Sequence, residues 1–124
     1  MAFYGLNKGI VKLLDGFRTS MGGYNFGKYQ KASLWERLIK RKASVNELHA
    51  NPWDEFSNPK IGPSESAVSK YIMEINQTGK LNSPIEVQKL TKGGYEIVNG
   101  HHRWLAAIKT GLEKVSIRIK NYSN

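Results

Sequence analysis

The sequence contains no cysteine, which excludes a disulfide framework, a thiolate zinc site and a cysteine nucleophile. It also lacks an apolar run of about 18 residues, the minimum for a membrane-spanning helix. The start of the chain, MAFYGLNKGIVKLLDGF, has neither the long apolar core nor the cleavage site of a signal peptide. These absences predict a soluble, cytoplasmic protein with no membrane partner.

Basic residues are abundant and unevenly distributed. The 124 residues include 19 Lys or Arg and 10 Asp or Glu, for a net charge of +9, and residues 1–42 hold nine of the basic and two of the acidic residues. We therefore expect a basic helical N-terminal extension over residues 1–42 and one domain over residues 43–124. The charge favours a nucleic-acid partner, although a solvated basic helix face has the same composition. The predicted nucleic-acid contacts are Lys28, Lys31, Arg37, Lys40, Arg41 and Lys42.

The front segment has the pattern of two helices joined by a loop. Asn7 can cap the first helix, and its apolar residues share one face: Ile10, Leu13, Leu14 and Phe17. Ser33 and Glu36 are spaced as in a capping box, which predicts a second helix over about residues 34–42. The loop carries three aromatic residues that could stack on nucleobases or fix the loop to a core: Tyr24, Phe26 and Tyr29.

From residue 43 onward, strand and helix patterns alternate. Three prolines exclude a continuous regular element across residues 49–63, and glycines at 93 and 94 suit a hairpin. Ser64 can cap a helix that ends near Gly79, and a second helix covers residues 102–110. The predicted strands cover residues 44–48, 85–90, 95–98 and 115–119.

The stretch IVNGHHRW, residues 97–104, places a glycine, two histidines and an arginine where a strand gives way to a helix. A helix N-terminus preceded by glycine presents unpaired N–H groups and favours phosphate. Arg103 adds a donor fork, and the histidines can donate hydrogen bonds or move protons near neutral pH, although either could be structural. The predicted phosphate-binding residues are Asn99, Gly100, His101, His102 and Arg103. We expect the Arg103 guanidinium to be free for an anion, outside any internal salt bridge, and Trp104 to be buried.

Residues 45–119 resemble the ParB/sulfiredoxin superfamily, which includes the domain called the ParB-like nuclease domain. The motifs that carry the resemblance are NELHANP, SPIEVQKL, YEIVNGHHRWLAAIKTG and VSIRI. The resemblance implies a compact α/β (α+β) domain with a small mixed sheet and a strand-turn-helix phosphate site. It also implies ATP or CTP as the nucleotide.

The chain departs from the named members of this superfamily. His101 stands where sulfiredoxins have their reactive cysteine, so sulfiredoxin activity is excluded. ParB partition proteins carry a helix-turn-helix domain behind this one, and only five residues follow Ile119, so we expect none here. The resemblance extends to free-serine kinases, in which an acid after the first strand acts as a base. The candidates here are Glu47, Asp54 and Glu55.

A phosphate at this turn with a carboxylate opposite it would form a phosphoester site, in which the carboxylate orients a water or hydroxyl or holds Mg²⁺. The candidate catalytic residues are Glu47, Asp54, Glu55, His101 and His102, and no side-chain metal cluster is predicted. The leading hypothesis is a domain that hydrolyses phosphoester bonds of nucleic acid or NTP, as a nuclease, an NTPase or a toxin effector module. The alternatives are a DNA-associated nucleotide switch without catalysis and a small-molecule kinase of the free-serine type.

Overall fold

The computed structural model describes residues 27–122, so the helix predicted after Asn7 and the aromatic residues Tyr24 and Phe26 lie outside the described part. The α-helices are α1 (Leu34–Ile39), α2 (Glu65–Thr78) and α3 (His101–Thr110). The strands are β1 (Lys42–Ser44), β2 (Leu48–His49), β3 (Ile85–Lys89), β4 (Tyr95–Asn99) and β5 (Lys114–Ile119). Two short 3-10 helices, Val45–Glu47 and Glu55–Ser57, lie before and after β2.

The five strands form one mixed sheet in the order β1-β5-β3-β4-β2. β1 and β5 are antiparallel, as are β3 and β4, whereas β2 pairs in parallel with β4 and β3 pairs in parallel with β5. The predicted α/β fold with a small mixed sheet is therefore confirmed. Within residues 27–122, none of the helices has the length and apolar character needed to cross a bilayer.

The hydrophobic core lies between one face of the sheet and the paired helices α2 and α3. Ile85, Ile97 and Leu105 are fully buried there, and each contributes about 1.5–3 kcal/mol relative to an exposed side chain. Trp104 is 5% exposed, and its indole N–H donates to the Val45 carbonyl at 3.0 Å. The predicted burial of Trp104 is thus confirmed, and its hydrogen bond fixes α3 against the segment that follows β1.

Two element boundaries differ from the sequence prediction. The predicted single strand over residues 44–48 is wrong, because a capping box closes a 3-10 turn at Val45–Glu47. The Ser44 hydroxyl accepts the Asn46 N–H, and the Glu47 carboxylate accepts the Ser44 N–H. The helix predicted over residues 34–42 ends at Ile39, because the chain turns extended to let β1 pair with β5.

A segment before β1 packs against the end of β3 and the start of β4. The Tyr29 backbone forms a bridge with Leu90, and Glu36 accepts hydrogen bonds from Lys89 Nζ at 2.7 Å and from the Tyr95 hydroxyl at 2.6 Å. We call residues 28–36 the strap. The boundary between an N-terminal extension and a domain at residues 42 and 43 stays a prediction. The strap, which precedes this boundary, is in contact with the sheet.

The strap places one charged pair inside the protein. Lys28 Nζ lies 2.8 Å from Glu96 Oε2, and the two side chains are 2% and 0% exposed. The Tyr29 hydroxyl donates to the other carboxylate oxygen of Glu96 at 2.6 Å. The predicted nucleic-acid contact at Lys28 is corrected by this geometry, because the ammonium is buried and already paired.

Candidate functional site

The turn between β4 and α3 requires glycine at position 100. Gly100 has φ 115° and ψ 24°, in the left-handed region that side chains rarely adopt. A Cβ there would also lie 3.2 Å from two carbons of Ile85. No side chain caps the N-terminus of α3, so its first N–H groups and the positive end of its dipole face the turn.

Arg103 lies directly beside this turn. A Cβ on Gly100 would be 3.4 Å from the central guanidinium carbon of Arg103. Nη1 donates to the Pro84 carbonyl at 2.6 Å, and the guanidinium lies 5.8 Å from the centre of the Tyr71 ring. These two contacts orient the guanidinium, so it is less free than we expected. As expected, it takes part in none of the ion pairs found within residues 27–122. Most of its N–H groups remain for an anion.

The two histidines fix both ends of one loop. His101 Nε2 accepts the Asn51 N–H at 3.0 Å, and His102 Nε2 accepts the Ser64 N–H at 3.0 Å. We call residues 51–64 the pinned loop. A ring nitrogen that accepts a hydrogen bond carries no proton, so each imidazole is neutral with its proton on Nδ1.

The surroundings of the histidines favour this neutral state. Burial lowers the pKa of His101 to about 4, although Asp54 acts in the opposite direction. Burial also lowers the pKa of His102 below its usual value, again against the effect of Asp54. We predicted that His101 and His102 would move protons and bind phosphate through their side chains. This prediction is corrected in one respect, because near neutral pH neither ring brings a positive charge or a free Nε2 proton to the turn.

Phe56 packs the middle of the pinned loop against the first turn of α3. Its ring centre lies 5.2 Å from that of His101, 5.4 Å from that of His102 and 6.2 Å from that of Trp104. Phe56 is buried, so the loop is held by an apolar contact as well as by its two end hydrogen bonds.

The three acidic candidates lie in different places. Asp54 is near the turn, with Oδ2 3.8 Å from His101 Nδ1, but the same oxygen accepts the Phe56 N–H at 2.9 Å and caps the 3-10 helix. Glu55 is exposed in that 3-10 helix. The third acid, Glu47, belongs to another part of the sheet.

Glu47 lies beside the start of β4, since its carbonyl oxygen would be 2.7 Å from a Cβ on Gly94. Gly100 is at the other end of that strand, about 20 Å away at the usual rise of about 3.3 Å per residue. The Glu47 carboxylate accepts from Lys40 Nζ at 2.9 Å, and this hydrogen bond lowers its pKa below the usual value. The proposed catalytic role of Glu47 at the turn is therefore corrected.

The remaining predicted groups are less constrained. Lys31, Arg37, Arg41 and Lys42 are exposed, while Lys40 is paired with Glu47. Asn99 is exposed at the end of β4. The part of the chain that the structure describes has no group of three or more histidines and acids that could hold a metal ion. Magnesium therefore stays a prediction.

Sequence reasoning missed Tyr71 and Pro84, which orient Arg103. Neither has a local signal, because strand pairing and helix packing bring them to the turn from distant parts of the sequence. It also missed the backbone N–H groups of Asn51 and Ser64, which are invisible in a pattern of side chains.

Comparisons with known proteins agree with this architecture. A family model described as ParB N-terminal domain matches residues 31–124. A protein from Vibrio cholerae, described as a probable chromosome-partitioning protein ParB, is 31% identical over 116 residues, which cover 94% of this chain and 38% of that protein. The chain thus spans less than half the length of this relative.

Solved structures show the same fold. The C-terminally truncated chromosome-partitioning protein ParB from Caulobacter crescentus, complexed with CTP-γ-S, gives a TM-score of 0.53 at 28% identity over 68% of this chain and 45% of that chain. The same protein complexed to the centromeric parS site gives 0.53 at 30% identity, over 68% and 42% of the two chains. Sulfiredoxin from Arabidopsis thaliana gives 0.51 at 25% identity, over 65% and 83%.

Proposed function

Because this chain belongs to the ParB N-terminal domain family, we propose that it is a nucleotide-binding module whose turn at residues 99–103 holds the phosphates of CTP. One observation carries the proposal: Arg103 lies beside Gly100 at a helix N-terminus that no side chain caps. The Caulobacter crescentus ParB of known structure was crystallised with CTP-γ-S, which supports CTP as the first nucleotide to test.

The residues at the turn fit a phosphate by their chemistry. The first N–H groups of α3 and the helix dipole favour negative charge, and Gly100 lets an anion approach the backbone. Arg103 can donate several charge-assisted hydrogen bonds, and its contacts with Pro84 and Tyr71 reduce the conformational entropy lost on binding. The chain therefore supplies binding and orientation, while the neutral histidines hold the pinned loop in place.

The surroundings of the turn support binding more than hydrolysis. A general base needs an unoccupied acceptor within reach of the attacking group. Both histidines use Nε2 to hold the loop and therefore offer no such acceptor there, while Asp54 commits Oδ2 to a backbone cap and keeps only Oδ1. We therefore favour a nucleotide switch that works together with nucleic acid over a nuclease, an NTPase or a toxin effector.

Calorimetric titration with CTP and ATP, with Mg²⁺ and with EDTA, tests the binding proposal. Arg103→Ala should weaken CTP binding by about 1.5–3 kcal/mol, the usual contribution of hydrogen bonds to a charged group. Lys80→Ala removes an exposed cation that lies just after α2 and its capping residue Gly79, and it should leave CTP affinity unchanged. Equal CTP affinity for Arg103→Ala and the parent, with both folded by circular dichroism, would refute the assignment.

Incubation with CTP, plasmid DNA and free serine separates binding from catalysis. We expect no plasmid nicking, no phosphate release and no phosphoserine. Phosphate release or nicking that disappears in Asp54→Asn would instead support the hydrolase hypothesis, and phosphoserine would support the kinase.

A further inference from the structure

Basic side chains cover the face of the sheet that is turned away from α2 and α3. Val115, Ile117 and Ile119 of β5 are buried against the helices, so the alternate residues of this strand point to the opposite side. Lys42 of β1 pairs with Ser116 and lies on the same side. We call this side the outer face. The strap adds Lys31 to this face, and the other basic side chains on it are Lys42, Lys114, Arg118 and Lys120.

The outer face has little negative charge to neutralise these cations. Glu86 lies opposite Arg118 in the sheet and 3.5 Å from Lys120. Glu96 is on the same face but is buried and paired with Lys28. In the described range 27–122, Lys31, Lys42 and Arg118 form no ion pair. The basic residues of β5 and the one that follows it extend over about 20 Å at the usual strand rise.

A cavity of about 440 Å³ opens at one end of this surface. It is lined by two tyrosines, three side-chain amides and two lysines: Tyr29, Tyr122, Gln30, Gln88, Asn121, Lys31 and Lys120. Its walls are held in place, because Tyr29 donates to Glu96 and the Asn121 side chain exchanges hydrogen bonds with the Ala32 backbone. The volume is within the range of small-molecule sites, about 300–1,000 Å³.

We propose that the outer face binds single-stranded nucleic acid, with the backbone along the basic residues of β5 and one base in the cavity. Cations in a row attract the phosphates, tyrosine rings accept a base by stacking, and amides can hydrogen-bond to its edge. A duplex keeps its bases paired and stacked, so it cannot place one in this cavity. The outer face and the Gly100 turn use different residues, so either proposal can fail without the other.

Fluorescence anisotropy with a labelled single-stranded oligonucleotide and the duplex of the same sequence tests the proposal on the full chain. Arg118→Glu should weaken single-strand binding by about tenfold at low salt and make it less salt-dependent, since at least one phosphate contact is lost. Lys80→Glu makes the same charge change at an exposed site outside the outer face and should alter affinity less than twofold. Tyr122→Ala should reduce single-strand affinity about fivefold or more through lost stacking.

Each outcome decides the proposal. Equal losses for Arg118→Glu and Lys80→Glu would overturn the assignment of the surface, because net charge alone would explain them. Duplex affinity equal to single-strand affinity, or displacement of the oligonucleotide by polyglutamate at the same charge concentration, would overturn the class of partner. The circular dichroism spectrum and urea midpoint of Arg118→Glu should match those of the parent, which shows that the variant is folded whether or not the Gly100 turn binds CTP.

Discussion

The hydrogen bond from the Asn51 N–H to His101 makes the stability of the domain depend on pH in a way that one substitution can isolate. His101 is 5% exposed, and burial lowers its pKa from 6.5 to about 4. The unfolded chain keeps the ordinary value, so it binds more protons than the folded protein between these two pH values. The stabilisation is therefore complete above about pH 6.5 and is lost as the pH falls toward 4.

The size of this effect follows from the two pKa values. Between pH 7 and pH 5, the loss attributable to His101 is about 2 kcal/mol of unfolding free energy. His102 and His49 also have pKa values lowered first by burial, so they add to the total. The quantity to measure is therefore the difference between the parent and a variant that lacks only the His101 titration.

His101→Gln provides that variant, because the glutamine carbonyl can accept the Asn51 N–H near the position of Nε2 and does not titrate. Urea unfolding at pH 7 and pH 5 should show a smaller loss for His101→Gln than for the parent, by about 2 kcal/mol. His101→Leu leaves the Asn51 N–H without an acceptor and should lose about 1–3 kcal/mol at pH 7 itself. Identical pH dependence for His101→Gln and the parent would refute the reasoning.

Three further predictions concern stability. Gly100→Ala should cost at least about 1 kcal/mol, because a side chain at φ 115° is strained and meets Ile85, and an unchanged urea midpoint would contradict this. Trp104→Ala should cost about 3–5 kcal/mol through the cavity left in the core, as measured by calorimetric melting; an unshifted melting temperature would contradict it. Lys28→Ala should cost about 3–5 kcal/mol by leaving the Glu96 carboxylate buried and unpaired, and Lys28→Met with Glu96→Gln should recover part of this in urea unfolding. Equal stability of Lys28→Ala and the parent would show that the pair is not essential to the strap.

The elements that sequence predicted well depend on local signals. Ser64 caps α2, Gly79 ends it in the left-handed conformation, and the glycines after β3 form the hairpin into β4. Each of these features is set by residues within a few positions of one another. The strand-turn-helix junction at Gly100 was accessible for the same reason.

The parts that sequence did not predict depend on contacts between distant residues. Lys28 looked like a surface cation because nothing near it in the chain predicts a buried acid, and its partner Glu96 comes from β4. The acid nearest the turn could not be chosen until β2 and β4 were known to be parallel, which carries Asn51 toward Gly100 and leaves Glu47 behind. The histidines looked like phosphate ligands because their actual partners, the backbone N–H groups of Asn51 and Ser64, leave no side-chain pattern in the sequence.

The strand order also has a consequence for how the chain acquires its structure during synthesis. Among the strands of residues 27–122, β1 pairs only with β5, although about seventy residues separate the paired positions, and contacts this distant in sequence slow folding. When β3 and β4 have emerged from the ribosome, the strap can already contact its partners there, whereas β1 still lacks the strand with which it pairs. Closure of the sheet must follow the emergence of β5, so the first strand of the sheet to be made is among the last to be paired.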